Sequence, residues 1–319
     1  MARVGAGSPE PHVSPSSTPR IVIVGSVMVD LIAYADPLPA AGQTVVGSSF
    51  QIGCGGKGAN QAVTAHRLGA QVVFVGRVGA DVFGQMSLEN FRAQGIDIGA
   101  VKAVDGESTG VAPIWVQADG SNRIIVVPGA NQALSSQDVE RELDGLTAAD
   151  CLVCQLETPL ATVATALAAG ARLGATTILN PAPATEDCVS LFAAADWVVP
   201  NEHEFALLWG ADPTDDELLA ASTAWSCGLI VTLGAEGAAA TVNGEVVRSR
   251  PPSVLVTDTT GAGDAFVGAL AYALGQGAAI GDAIEIGNRC GALSTQARGT
   301  QTSFPTREAL DRASDLQRL

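Results

Sequence analysis

CLVCQLETPLATVATALAAGARLGATTILN, residues 151–180, is the stretch on which the fold turns. Residues 151 to 156 read as a strand, about 160 to 173 as a helix, and 176 to 179 as a second strand. Strand, helix and strand in that order make a βαβ unit, whose crossover sets the two strands parallel. The alternation continues with a strand at 196 to 199, a helix at 202 to 209 and a strand at 229 to 233. A parallel sheet needs helices on both faces, and its ligands gather at the carboxyl ends of the strands. Upstream, Ile21 to Gly25 is a continuous apolar run closed by glycine, and the core sheet is expected to begin there.

Four stretches depart from this alternation. Leu31 to Ala35, Thr44 to Ile52, Thr109 to Gln117 and Arg123 to Val127 are β-rich, with no helix between the first two. Gly120-Ser-Asn122 supplies hairpin turn chemistry between the last two. They predict a separate small sheet. The expected fold class is α/β: a doubly wound, mostly parallel sheet with helices on both faces, plus a small β-sheet, in one domain over residues 20–319. Residues 1–19, with four prolines, four serines and no apolar core, read as a disordered tail.

A chain of 319 residues with 47% hydrophobic content buries a substantial core, and the length suits one large domain. Thirty-three acidic against 17 basic residues give a net charge of −16, which argues against nucleic acid or an anionic membrane as a partner. Small molecules fit better. No apolar run reaches the roughly 18 residues needed to span a bilayer, residues 1–19 do not read as a signal peptide, and the expectation is a soluble, cytoplasmic protein. Six cysteines are scattered, and Cys151 and Cys154, three apart in a strand, point to opposite faces, as buried free thiols rather than a metal or redox pair.

Asp258-Thr-Thr-Gly-Ala-Gly-Asp264-Ala-Phe266 carries the chemistry. Val254 to Val256 reads as a strand end, and Ala265, Phe266, Ala269, Leu270 and Ala273 recur with helical spacing, so Gly261, Ala262 and Gly263 form the helix's opening turn. Unpaired N–H groups and the positive end of the helix make an anion site there. A carboxylate beside a bound phosphate is unfavourable, so Asp264 is expected to act chemically. It would take a proton from a hydroxyl while the backbone donors hold charge developing on a transferring phosphoryl group. A plain helix-start role for Asp264 stays open at this point.

The rest of the chain weighs against that plain role. Gly55-Gly-Lys-Gly-Ala-Asn60 together with Asp258 to Phe266 resembles the two signature regions of the ribokinase (PfkB-type) carbohydrate kinase family. Further matches follow in the family's order: Gly25-Ser26 to Asp30, Gly129-Ala-Asn131, Gln155-Leu-Glu157, Asn180-Pro-Ala-Pro-Ala184, Asn201 to Glu204 and Thr232 to Gly237. The resemblance covers about residues 20 to 305. It implies ATP-dependent phosphorylation of D-ribose at the 5-hydroxyl, and it makes the small sheet a lid that covers the sugar and pairs with a second copy as a homodimer.

The resemblance also assigns residues. Asp264 would be the base and Gly261 to Gly263 the anion hole. Met28, Asp30, Gly56, Lys57, Gly58, Asn60 and Glu157 would face the sugar. Asn201, Thr232, Gly234, Gly237, Gly263 and Asn288 would face ATP, with Glu204 holding magnesium through water. Asp258, Thr260, Ser294, Ala297, Gly299 and Ser303 align with a potassium site. Each has a structural alternative: Asn60 could cap its helix, expected over Ala59 to Leu68, Asn201 and Glu204 could form a capping box, and Gly234 and Gly237 could be turns. Lys57, one of only two lysines, could be a solvated side chain.

Two other motif readings fail on position. Gly53-Cys-Gly55-Gly-Lys-Gly58 satisfies GxGxxG, with Asp81 some twenty residues on, but a dinucleotide site should follow the first core strand directly. A P-loop fails because Gln51 stands where a glycine belongs and Gly58 follows Lys57 where Ser or Thr is needed. Met28 departs from the family, in which an asparagine often contacts a sugar hydroxyl; methionine offers only apolar packing and a weak acceptor. This leaves open a related kinase for fructose, deoxyribose or adenosine, and, in another class, a non-catalytic sugar sensor on the same fold.

Overall fold

Nine strands join one sheet, whose central strands are buried on both faces. In the computed structural model, which describes residues 18–117, 119, 121–144 and 150–316, Ile21 to Val24 are fully buried. Ile21 and Ile23 enter one core and Val22 and Val24 the other. Most of the expected N-terminal tail, residues 1–17, and Gly120 of the expected hairpin turn lie outside the described residues.

The strands are β1 (Arg20–Val24), β2 (Met28–Tyr34), β3 (Ser49–Gly55), β4 (Gln71–Gly79), β5 (Val101–Val104), β6 (Gly110–Val116), β7 (Asn122–Ile124), β8 (Cys151–Cys154), β9 (Thr176–Leu179), β10 (Trp197–Val198), β11 (Gly228–Thr232), β12 (Ala238–Val242) and β13 (Glu245–Ser249). The helices are α1 (Lys57–Arg67), α2 (Val82–Gln94), α3 (Ser136–Asp144), α4 (Leu160–Arg172), α5 (Glu202–Trp209), α6 (Asp215–Trp225), α7 (Ala262–Gly275), α8 (Ile280–Ser294) and α9 (Arg307–Leu316). The large sheet runs β13-β12-β11-β10-β9-β8-β1-β4-β5, parallel from β11 to β5 and antiparallel at β11-β12 and β12-β13. Helices α1, α7 and α8 pack on one face and α3, α4 and α6 on the other. The order reverses at β1, between β4 and β8, and the crevice beyond the carboxyl ends of β1 and β8 is where such a sheet binds ligands.

The small sheet runs β3-β2-β6-β7, with β2 and β6 parallel and the outer pairs antiparallel. It is built from two insertions, one after β1 and one after β5. The α/β class, the two covered faces and the second sheet match expectation, as does the split of Cys151 and Cys154 between the two cores. Boundaries differ. The strand expected at 31 to 35 starts at Met28, that at 44 to 52 starts at Ser49, and that at 123 to 127 stops at Ile124, with Val127 keeping only a bridge to Val111.

Val254 to Val256 is not a strand end. It is extended chain with Leu255 85% exposed, and the following Thr257 and Asp258 give their N–H groups to the Thr295 carbonyl at 2.7 and 3.0 Å. The β12-β13 hairpin was legible but unread: Asn243 and Gly244, both at positive φ, are an Asn-Gly turn between β-branched runs. Among the described residues, no helix is long and apolar enough to cross a membrane.

Candidate active site

The chain leaves β1 through Gly25 and Ser26, enters β2, and returns from β3 into α1 against the same corner. A Cβ on Gly58 would lie 2.6 Å from the Ser26 nitrogen, and one on Gly56, at φ 92°, 2.7 Å from the Met28 nitrogen. The glycine run therefore lets the start of α1 press backbone to backbone on the β1-β2 turn. Glu157, just past β8, lies at that helix start. Its Oε2 accepts from the Lys57 N–H at 2.9 Å and from the Ser26 hydroxyl, which itself accepts from the Gly58 N–H at 3.3 Å. Asp30 lies against Gly55, where a Cβ would come within 2.6 Å of Oδ2. Burial, then the charges of Glu157 and Asp264, push the Asp30 carboxyl up to about 6. Met28, buried at the start of β2, shares its strand face with Asp30.

Gly261 caps α7 in the left-handed conformation at φ 79°, and Asp264 follows in the first turn, 8% exposed. The Asn60 side-chain amide donates to Asp264 Oδ2 at 2.8 Å and that of Gln61 to Oδ1 at 3.3 Å. Asn60 is no helix cap: α1 starts at Lys57 with Gly56 before it, and the Asn60 side chain is turned to α7. Burial works against the Lys57 charge, but Asp264, Glu157 and Glu204 together hold its pKa above the ordinary lysine value. That makes Lys57 the shared counter-charge of the site, not a solvated side chain.

Asn201 and Glu204 form a full capping box on α5, each side chain accepting the other's backbone N–H at 2.8 Å. A bridge between Asn201 and Thr232 joins this turn to the end of β11. Burial raises the Glu204 pKa despite the Asn201 hydrogen bond and the nearby Lys57. A cleft of about 210 Å³ gathers Lys57, Asn201, Glu204, Thr232, Gly261, Gly263 and Asp264. Gly234, Gly237 and Asn288 do not line it. Gly237, at φ 93°, turns the chain where a Cβ would meet the Ser249 carbonyl at 2.0 Å, and Asn288 Nδ2 donates to that same carbonyl at 2.8 Å. Both tie β13 in place beside the cleft.

Of the residues aligned with a cation site, Asp258, Thr260 and Gly299 come together. Asp258 Oδ1 accepts from the Thr260 N–H and hydroxyl at 3.0 and 2.7 Å, and Oδ2 from the Gly299 N–H at 3.0 Å. Although burial opposes it, these donors hold the Asp258 carboxyl below its usual range. The hydroxyls of Ser294 and Ser303 donate to the Gly291 and Thr300 carbonyls. With the Asp258 carboxylate spent on N–H groups, the oxygens left to this loop pair are mostly backbone carbonyls.

Asp81, the acid expected of a dinucleotide site, caps α2 and accepts from Thr109 and Gly84, so that reading is excluded by its hydrogen bonds. Gln61 and Gln301 were missed altogether, and Gln155 and Asn180 were seen only as motif letters. A single amide carries no chemistry of its own, so only the fold reveals what it orients.

The family model described as "pfkB family carbohydrate kinase" matches residues 18–307. The Deoxyribokinase of Salmonella typhi is 39% identical over 90% of this chain and 96% of its own length, and the Ribokinase of Bacillus subtilis (strain 168) is 38% identical over 92% and 98%. The solved Arabidopsis thaliana ribokinase complexed with ribose and ATP superposes with a TM-score of 0.84 at 30% identity, covering 93% of this chain and 98% of that one. The chain belongs to the pfkB family of carbohydrate kinases, and is a phosphotransferase acting on a sugar.

Proposed function

We propose that the chain transfers the γ-phosphoryl group of ATP to the 5-hydroxyl of D-ribose, giving D-ribose 5-phosphate and ADP by in-line displacement. Asp264 carries this reading, since its oriented carboxylate lies at the opening turn of α7, between the acidic corner of Asp30 and Glu157 and the cleft of Asn201, Glu204 and Thr232. Asp264 takes the hydroxyl proton as the oxygen attacks phosphorus and the bond to the ADP oxygen breaks. The N–H groups of Gly261 and Gly263 and the positive end of α7 receive the developing charge, whereas the Ala262 N–H, expected to share in this, is spent on the Thr259 carbonyl at 3.2 Å. Asp30 and Glu157 accept hydrogen bonds from the sugar hydroxyls, and Lys57 offsets the carboxylates around it. The four-stranded sheet acts as the lid of one domain over residues 20–319.

Magnesium fits the donors present. Glu204 Oε1 lies outside the capping box, and no cluster of three or more His, Cys, Asp or Glu is placed to grip a metal among the described residues. Glu204 would hold a hydrated ion carried in by the nucleotide, and the ion would neutralise phosphate charge. The carbonyls around Asp258, Thr260, Ser294, Ala297, Gly299 and Ser303 suit a monovalent cation behind the anion hole. Turnover is expected to rise with potassium and not with sodium at equal ionic strength, measured as ADP release; equal rates would remove that site. The lid exposes Phe50, Ile52, Ile124 and Ile125, each at least half accessible, and a second copy is read as their cover in a cytoplasmic homodimer.

Met28 favours a second acceptor, 2-deoxy-D-ribose. An apolar side chain beside Asp30 leaves a facing hydroxyl without a partner, a penalty of about 1–3 kcal/mol that a sugar lacking that hydroxyl avoids. The test is ADP release with D-ribose, 2-deoxy-D-ribose, fructose and adenosine as acceptors. A higher kcat/KM for D-ribose supports the first reading, and one higher by about tenfold or more for 2-deoxy-D-ribose moves the acceptor to the second. Sugar binding without turnover on any acceptor would leave a sensor.

A further inference from the structure

Six side-chain amides, five of them buried, converge on Asp264 in two chains. In the first, Asn90 Nδ2 donates to Gln301 Oε1 at 2.7 Å, Gln301 Nε2 to Asn60 Oδ1 at 3.1 Å, and Asn60 Nδ2 to Asp264 Oδ2 at 2.8 Å. In the second, Gln155 Nε2 donates to Gln61 Oε1 at 2.6 Å, while Gln61 Nε2 lies 3.3 Å from Asp264 Oδ1 and 3.1 Å from Asn180 Oδ1. Asn180 Nδ2 then ends on the Val199 carbonyl at 2.8 Å.

The polarity of both chains is forced. An ionised carboxylate and a backbone carbonyl can only accept. Asp264 therefore requires nitrogen from Asn60 and from Gln61, and Val199 requires nitrogen from Asn180. Asn60, Gln301 and Gln61 must then turn their oxygens outward to Gln301, Asn90 and Gln155, and Asn180 its oxygen inward to Gln61, while Gln155 Oε1 is buried without a hydrogen-bond partner. Turning over Asn60, Gln61 or Gln301 would set oxygen against oxygen on one side and nitrogen against nitrogen on the other, which costs an unmade hydrogen bond at each end. Gln301 is itself anchored, because Arg67 donates to its carbonyl and to that of Phe304, and the neighbouring Thr300 hydroxyl donates to the Cys54 carbonyl in β3. A carboxylate offers about four acceptor positions. Asn60 and Gln61 occupy one on each oxygen, and Asp264 still lines the open cleft.

We infer that Gln61 and Gln301 are positioning residues, which act through these amide chains to hold the Asp264 carboxylate in the orientation that receives the acceptor's proton. The inference rests on Asp264 being the base. Its test measures kcat, both KM values and the melting temperature for Gln61→Leu, Gln301→Leu, Gln301→Glu and Asn90→Asp, alone and combined with Asp264→Asn. Thr162→Val serves as a folding control, since that buried hydroxyl donates to the Leu134 carbonyl on the other face of the sheet.

The Leu variants should lose about 10- to 100-fold in kcat, the scale of a misplaced catalytic group, with both KM values within about threefold. Gln301→Glu keeps the shape but not the donor and should do the same. Asn90→Asp, at the half-buried outer end, should lose several-fold and covers the case in which a buried variant does not fold. Thr162→Val should lower the melting temperature and leave kcat alone. Added to Asp264→Asn, none of the amide changes should reduce kcat further. Amide variants with wild-type kcat, or the same factor lost again on top of Asp264→Asn, would overturn the inference and leave the base standing. Near-wild-type turnover in Asp264→Asn alone would overturn both.

Discussion

Asp264→Asn is expected to cut kcat by about 10² to 10⁴, the usual range for loss of a general base, while sugar and nucleotide affinities change little. Asparagine keeps the volume and can still accept from Asn60 through its oxygen, but its nitrogen must then face the Gln61 amide nitrogen, donor against donor. The carboxylate is neither at a helix cap nor in an ion pair with an arginine, so its removal leaves the start of α7 intact; that turn is set by Gly261. Steady-state ADP release together with ligand-induced shifts in melting temperature separates the two quantities. Turnover within about threefold of wild type would remove Asp264 from the chemistry.

Asp30 gives the second large effect, and its sign with pH can be worked out. A sugar hydroxyl donates to Asp30 only when the carboxylate is ionised, and burial among Glu157 and Asp264 holds its pKa at about 6. Apparent sugar affinity should therefore weaken about tenfold per pH unit below that value and level off above it. Stability runs the other way. The folded pKa is raised above the ordinary 3.8, so this group's contribution is fully present below about 4 and is lost as pH rises through about 6, on the order of 2–3 kcal/mol. Asp30→Asn should raise the sugar KM by about 10² to 10³ near pH 8, leave the ATP KM unchanged, flatten the pH dependence and raise the melting temperature at neutral pH. A pH profile of sugar KM between about pH 5 and about pH 8 that is unaltered by Asp30→Asn would discard this account.

The parts of the fold legible in the sequence were those with two-sided burial. Ile21 to Gly25 and Cys151 to Cys154 are apolar because helices cover both faces of their strands, and 176 to 179 was placed by its position after a helix rather than by composition, since it opens with two threonines. Val254 to Val256 has the same composition for no such reason, which is why it misled. In the site, Gly261, Gly263 and Asp264 were legible because a carboxylate beside a glycine turn has few other uses. The glycines at 56 and 58 were legible as a motif but not as a cause: the backbone of Ser26 and Met28, which they must clear, is some thirty residues away in the chain. Gln61 and Gln301 were invisible, since what they do depends on which way a neighbour's amide faces.

The small sheet enters the chain as two insertions, and it alone carries Met28 and Asp30, whereas Asp264, Asn201, Glu204 and Thr232 stand on the large sheet and its helices. On the proposed reading, the part of acceptor recognition that Met28 and Asp30 supply is thus inherited on a different piece of structure from the handling of ATP, while Glu157 stays with the large sheet. Substitutions along β2 can retarget the enzyme to a different sugar while the phosphate machinery stays as it is, and a lineage can diversify its diet of sugars without reinventing its catalyst.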